Sequence, residues 1–242
     1  MRALFHKIGS IGLFFFVYCI ARYLMFRGRL RVAGWDNLLQ LVEACDGKCI
    51  IVSNHPTLWE PIFIKVLLWK WYRKDFNRHP KNVTAVDELH TYPILTQILF
   101  RYAGLIPVDR NDESTNASLF LAMARAVRKQ CPVIICPEGR CTATPAAREK
   151  DSDETYPSTP ALGEPYMLMP RGGVLKFATQ QRVPLITACV TLGSRPWLMS
   201  TSHWQELKRI SACGMTIEFS DSLFYTDETT TVEALAHRIM HP

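Results

Sequence analysis

Short, mainly apolar runs, separated by longer helical patterns, limit this chain to one broad architecture. Ile50-Ile51-Val52, Leu105 to Val108, Val133 to Cys136 and Leu185 to Val190 are each too short for a typical helix. A strand wet on one face alternates apolar and polar residues, whereas one covered on both faces stays apolar throughout. Between these runs lie helical spacings at 35–44, 61–74, 92–103, 114–130 and 172–181. Strands alternating with helices imply an α/β fold, a mainly parallel sheet flanked by helices. A short strand at 82–86, a late strand at 215–219 and a final helix complete the reading. That helix is opened by the capping box Thr230-x-x-Glu233. At 242 residues the chain is long enough for one large domain with a substantial core.

The first thirty residues stand apart. Ile8 to Phe26 is apolar apart from Arg22 and would span about 28 Å as a helix, close to the hydrocarbon thickness. A cleaved signal peptide competes, because Arg2 and Lys7 precede the run, but no small-x-small cleavage site follows it. The reading preferred is an N-terminal membrane anchor over 1–30, spanning or half-embedded, and a second domain over 31–242. Arg22, Arg27, Arg29 and Arg31 place that domain on the cytoplasmic side.

The net charge is +6, and Lys65, Lys70, Arg73, Lys74, Arg78 and Lys81 form a second basic cluster. Basic groups beside an apolar anchor favour anionic lipid headgroups. No nucleic-acid module is visible, so membrane lipids rather than nucleic acid are the expected partners. Nothing in the sequence specifies an oligomeric state. The eight cysteines are scattered, and neither Cys45-x-x-x-Cys49 nor Cys131-x-x-x-x-Cys136 meets a second ligand pair at zinc-finger spacing. No metal is expected on those spacings, and a reduced, cytosol-facing domain is.

Two segments stay open. The helix at 61–74 carries Trp69, Trp71 and Tyr72, which suit either a buried core or a membrane interface. The proline-rich, charged insertion at 142–169 breaks the strand–helix rhythm and reads as a mobile exposed loop or a lid.

The chemistry gathers at strand ends, where open α/β sheets collect their ligands. Ser53-Asn54-His55-Pro56-Thr57-Leu58-Trp59-Glu60-Pro61 follows an apolar strand and opens a helix, with Pro favoured at its first position. A turn there folds Glu60 back onto His55. The carboxylate would fix the imidazole tautomer and leave the other nitrogen free to take a proton. Arg110 follows the strand Leu105–Val108, and Glu138-Gly139-Arg140 follows Val133–Cys136. Val183-Pro184 opens a further strand, after a helix bearing Lys176. Arginine offers a planar fork of donors that matches phosphate oxygens, and Gly139 permits close backbone approach to an anion. Taken singly, Arg110 reads equally as a surface ion pair and Glu138-Gly139 as a turn.

Asn54-His55-x-x-x-x-Glu60, Gly104-x-Ile106-x-Val108-x-Arg110, Pro137-Glu138-Gly139 and Val183-Pro184 stand in an order and spacing that resemble the four blocks of the glycerolipid acyltransferases. This is the 1-acyl-glycerol-3-phosphate acyltransferase superfamily, and the resemblance covers about residues 30 to 200. It implies transfer of an acyl group from acyl-CoA or acyl carrier protein, as co-substrate and with no cofactor, to a glycerophospholipid hydroxyl. On that resemblance His55 is the general base and Glu60 its orienting acid. Arg110, Glu138, Gly139, Arg140 and Lys176 would hold the acceptor's phosphate and glycerol. The family usually has Asp where this chain has Glu60, so the turn must absorb an extra methylene. It also commonly reads Glu-Gly-Thr-Arg-Ser, whereas here Arg140 follows Gly139 directly, as in the transacylase branch that remodels phospholipids. A catalytically degenerate lipid-binding relative is the rival from another class. A hydrolase lacks any Gly-x-Ser-x-Gly elbow.

Overall fold

The computed structural model describes residues 2–85, 104–108, 114–138, 155–156, 167–193 and 203–242. Their strands are β1 (Leu30–Ala33), β2 (Ile50–Ser53), β3 (Lys81–Ala85), β4 (Leu105–Val108), β5 (Val133–Ile135), β6 (Thr155–Tyr156), β7 (Met167–Leu168), β8 (Leu185–Leu192) and β9 (Met215–Phe219). Their helices are α1 (Arg2–Phe26), α2 (Trp35–Ala44), α3 (Glu60–Leu67), α4 (Trp69–Tyr72), α5 (Ser114–Arg128), α6 (Gly173–Gln181), α7 (His203–Cys213) and α8 (Val232–Met240). The helix expected at 92–103 lies outside the described residues.

Among the described residues seven strands form one sheet in the order β1-β9-β8-β2-β5-β3-β4. Every neighbouring pair is parallel except β8 with β9. The fold class is therefore α/β with a mostly parallel sheet. The apolar runs explain its interior. Ile51, Ile134 and Ile186 point into one cluster, which includes side chains of α1 to α4. Their neighbours Ile50, Val52, Val133 and Leu185 point into the other, built on α5, α6 and α8. Both faces are covered there, so the central strands β2 and β5 are apolar at both parities. Short β2 and β5 lie in the middle of the sheet, and their carboxyl ends open on one edge.

The apolar helix at 61–74 is two pieces. The indole of Trp35 donates to the carbonyl of Leu67 at 2.9 Å, and Trp71 N–H turns instead to Leu68 O. The ladder breaks at that carbonyl. Phe63, Ile64 and Tyr72 are buried, so this segment is core. The final helix is capped one residue later than its sequence suggests, by Thr231, whose hydroxyl accepts from Ala234 N–H. Thr230 instead bonds Asp227. The insertion at 142–169 is not structureless where it is described: β6 and β7 pair antiparallel, and Met167 and Leu168 are buried.

Of the two forms of anchor expected, spanning or half-embedded, the N-terminal helix does not fit the spanning one. Among the described residues no helix is long and apolar enough to cross a membrane. Phe14, Val17, Ala21 and Leu24, one stripe at helical spacing, are buried in the domain core. Phe14 meets Tyr72 edge-on at 5.9 Å between ring centroids. One face of α1 is thus spent on protein. The other exposes Phe15 (67%), Phe16 (52%), Tyr23 (55%) and Phe26 (88%).

Candidate active site

The site grows from the carboxyl end of β2. Its pairing with β8 ends at Ser53 opposite Ala188, and the side chain of Asn54 continues the ladder. The Asn54 amide donates to Val190 O at 2.9 Å, and its carbonyl accepts Val190 N–H at 2.6 Å. The chain therefore leaves the sheet from a fixed point, with His55 next. The backbone N–H of His55 donates to Glu138 Oε1 at 2.6 Å, so the turn after β5 grips the turn after β2.

His55 and Glu60 meet as the motif requires. Nδ1 of His55 bonds Oε1 of Glu60, with Glu60 fully buried and His55 8% exposed. Thr57 completes the turn. Its hydroxyl donates to Glu60 Oε2 at 2.6 Å and accepts Trp59 N–H at 2.9 Å. Both oxygens of the carboxylate are thereby directed, and the longer Glu side chain reaches the imidazole. A carboxylate on Nδ1 leaves Nε2 as the nitrogen able to take a proton.

Two further groups close on this dyad that the motifs did not single out. Glu206, buried on α7, accepts Leu58 N–H at 2.9 Å in the middle of the turn. Burial, with the charge of Glu60 adding to it, pushes its carboxyl up to about 7, against the Leu58 hydrogen bond and the charges of His55 and Arg209. Cys136, at the end of β5, lies 3.6 Å from Ser53 Oγ and 3.8 Å from Glu60 Oε1. Burial raises its thiol pKa, and the adjacent imidazole opposes this.

The expected acceptor-binding residues fare differently. Glu138 is buried, and its second oxygen accepts Leu168 N–H of β7 at 2.8 Å. Its two oxygens thereby tie the turn that carries His55 to β7. The segment leading into α6 adjoins the same block, through Arg171 N–H on Pro137 O at 2.8 Å. Lys176 is exposed on α6. Arg110, Gly139 and Arg140 lie outside the described residues. Val108, the last described residue before Arg110, ends a strand running parallel to β3, toward the same edge as His55.

Chemically, the arrangement is a buried imidazole base oriented by a buried carboxylate. Such a base serves a nucleophile that the substrate brings. Compared with known proteins, residues 29–191 match the sequence model of one family, described as Acyltransferase. No curated protein sequence matches the chain.

Proposed function

The chain belongs to the acyltransferase family, in the glycerolipid acyltransferase superfamily, and from that premise we propose that it is a membrane-bound O-acyltransferase of phospholipid biosynthesis or remodelling. The acyl group comes from acyl-CoA or acyl carrier protein and goes to a lysophospholipid such as 1-acyl-glycerol-3-phosphate. The observation that carries this reading is the His55–Glu60 pair, buried at a strand end and held by Thr57.

In the proposed reaction His55 Nε2 accepts the proton of the acceptor hydroxyl as its oxygen attacks the thioester carbonyl. Glu60 keeps the imidazole in the tautomer that has Nε2 free and stabilises the imidazolium formed. The same imidazolium then protonates the departing thiolate of the carrier. Arg110, Gly139, Arg140 and Lys176 supply the donors for the acceptor's phosphate, as the family resemblance implies. Holding both substrates together is a large share of the rate in such a transfer.

Membrane association is part of the proposal. The exposed aromatic face of α1 lies beside exposed Arg22, Arg27, Arg29 and Arg31, a pairing that suits the interface of an anionic bilayer without crossing it. On this reading the catalytic domain lies on the cytoplasmic side.

The experiment is a thioester-cleavage assay with and without lysophospholipid. CoA release that depends on the acceptor, with a diacyl product, is expected. Release without acceptor would make the chain a hydrolase, and no release from any thioester would make it a lipid-binding relative.

A further inference from the structure

The spacing of the cysteines along the chain argues against a metal, yet folding assembles a ligand set no spacing contains. His55, Glu60 and Cys136 each offer one ligand atom, and those atoms lie within 4.8 Å of one another. They come from the turn after β2, the first residue of α3 and the end of β5; hydrogen bonds from Glu138 and Thr57 hold the first two, and Cys136 lies against Ser53 Oγ and Glu60 Oε1. We propose that this trio is an inhibitory site for a thiophilic divalent cation, Zn2+ being the ion of matching chemistry. The inhibition, though not the binding, rests on the acyl-transfer reading.

Nitrogen, carboxylate oxygen and thiolate sulfur are the donors zinc takes, at about 2.0–2.3 Å, which sets neighbouring ligand atoms of a tetrahedron roughly 3.3–3.8 Å apart. Cys136 Sγ and Glu60 Oε1 are already 3.8 Å apart. The ion enters by parting the His55–Glu60 hydrogen bond, and the fourth position is left to water. A magnesium or calcium ion would find one oxygen ligand side chain and two unsuitable ones.

The consequence follows from the tautomer. Binding moves the imidazole proton from Nδ1 to Nε2 and releases the thiol proton of Cys136 to solvent. With Nδ1 on the metal and a proton on Nε2, His55 has no lone pair for the acceptor hydroxyl. The base is switched off by the same nitrogen that Glu60 normally holds. Cys136 itself touches neither substrate in the proposed reaction, so the thiol is the means by which the ion is recognised.

The test uses the full chain, stripped of metal with a chelator and then titrated with Co2+ alone. A thiolate-to-cobalt charge-transfer absorption is expected in the native protein, displaced by Zn2+ and absent from Cys136→Ser and Cys136→Ala. In parallel, Zn2+ is expected to inhibit acyl transfer at least tenfold more weakly in both variants, each referred to its own metal-free rate. An absorption that persists in the Cys136 variants, or equal zinc sensitivity in them, overturns the site; so does loss of activity on chelation. The absorption is read without turnover. A Cys136-dependent signal in a chain that transfers no acyl group would therefore count against the proposed function and not against the metal site.

Discussion

The carboxylate of Glu206 accepts the backbone N–H of Leu58 at 2.9 Å, from a helix 148 residues further along the chain. Leu58 lies between His55 and Glu60, so a group far away in sequence holds the turn that carries the dyad. Ionising the acid there has an electrostatic cost, set by burial and by the neighbouring Glu60, which the Leu58 bond only partly offsets.

That cost sets a pH dependence. Glu206 keeps its proton in the folded protein up to about pH 7 but in the unfolded chain only to the ordinary value of 4.5. Between the two the native state binds more protons, so its stability falls as pH rises through this window and stays lower above it. The full gap corresponds to about 3 kcal/mol. Glu206→Gln removes the titration and keeps an oxygen for Leu58, so its unfolding free energy should lack this decline. Urea melts of both proteins across the window check it; parallel curves would place the proton elsewhere. Glu206→Ala, which also strands the Leu58 N–H, should lower kcat with little change in KM.

The dyad makes a sharper prediction about length. Both oxygens of Glu60 are engaged, one by His55 and one by Thr57. Glu60→Asp withdraws the carboxylate by about one bond, and misplacement of about 1 Å costs on the order of 100-fold in rate. Acyl transfer should therefore fall in Glu60→Asp, although the family usually carries Asp at this place. His55→Ala should lose about 100- to 10,000-fold with the fold intact by circular dichroism. Full turnover in His55→Ala would remove the pair from the mechanism, whereas full turnover in Glu60→Asp would show that the shorter carboxylate still reaches the imidazole.

The central sheet and the dyad were legible because they are written locally. Ile50-Ile51-Val52 and Val133-Ile134-Ile135 have no polar alternation to confuse the period, and His55 and Glu60 are five residues apart. β1 escaped notice because Leu30–Ala33 is four residues long with an exposed Arg31 inside it. α7 did so because HWQELKRISAC is mostly polar, its buried side being made by Ile210 and by Glu206 itself. The bracket of Asn54 on Val190, Glu206 on Leu58 and Cys136 beside Glu60 all join residues 76 or more apart. No periodicity encodes such pairs; the sheet order does. Glu138 was visible as a motif residue, but not that its oxygens accept the backbone N–H groups of His55 and Leu168.

Glu138 can be tested on that difference. It satisfies two buried N–H groups, those of His55 and Leu168. Stranding a buried donor costs about 1–3 kcal/mol. Glu138→Ala should lose a few kcal/mol of stability and, through a loosened His55, most of kcat. Glu138→Gln keeps both acceptor positions only in part, and should fall between. If Glu138→Ala instead raised KM for the acceptor with kcat and stability unchanged, the residue would be a substrate ligand, as its motif suggests.

The outer face of α1 offers the remaining prediction. Phe15, Phe16 and Phe26 are each more than half exposed, whereas Phe14, Val17, Ala21 and Leu24 on the same helix are buried. Replacing the exposed three by Ser should change stability little, since more than half of each side chain is already in solvent. It should sharply lower co-sedimentation with vesicles of anionic phospholipid, because the aromatic rings supply the apolar part of the attraction. Reversing Arg27 and Arg31 to Glu should weaken the same binding in a salt-dependent way, about 1 kcal/mol per charge near the surface. Activity on lysophospholipid embedded in vesicles should fall in parallel, while activity on a short-chain, water-soluble acceptor should not. Equal vesicle binding by the triple Ser variant would show that this face of α1 is not what brings the domain to the membrane.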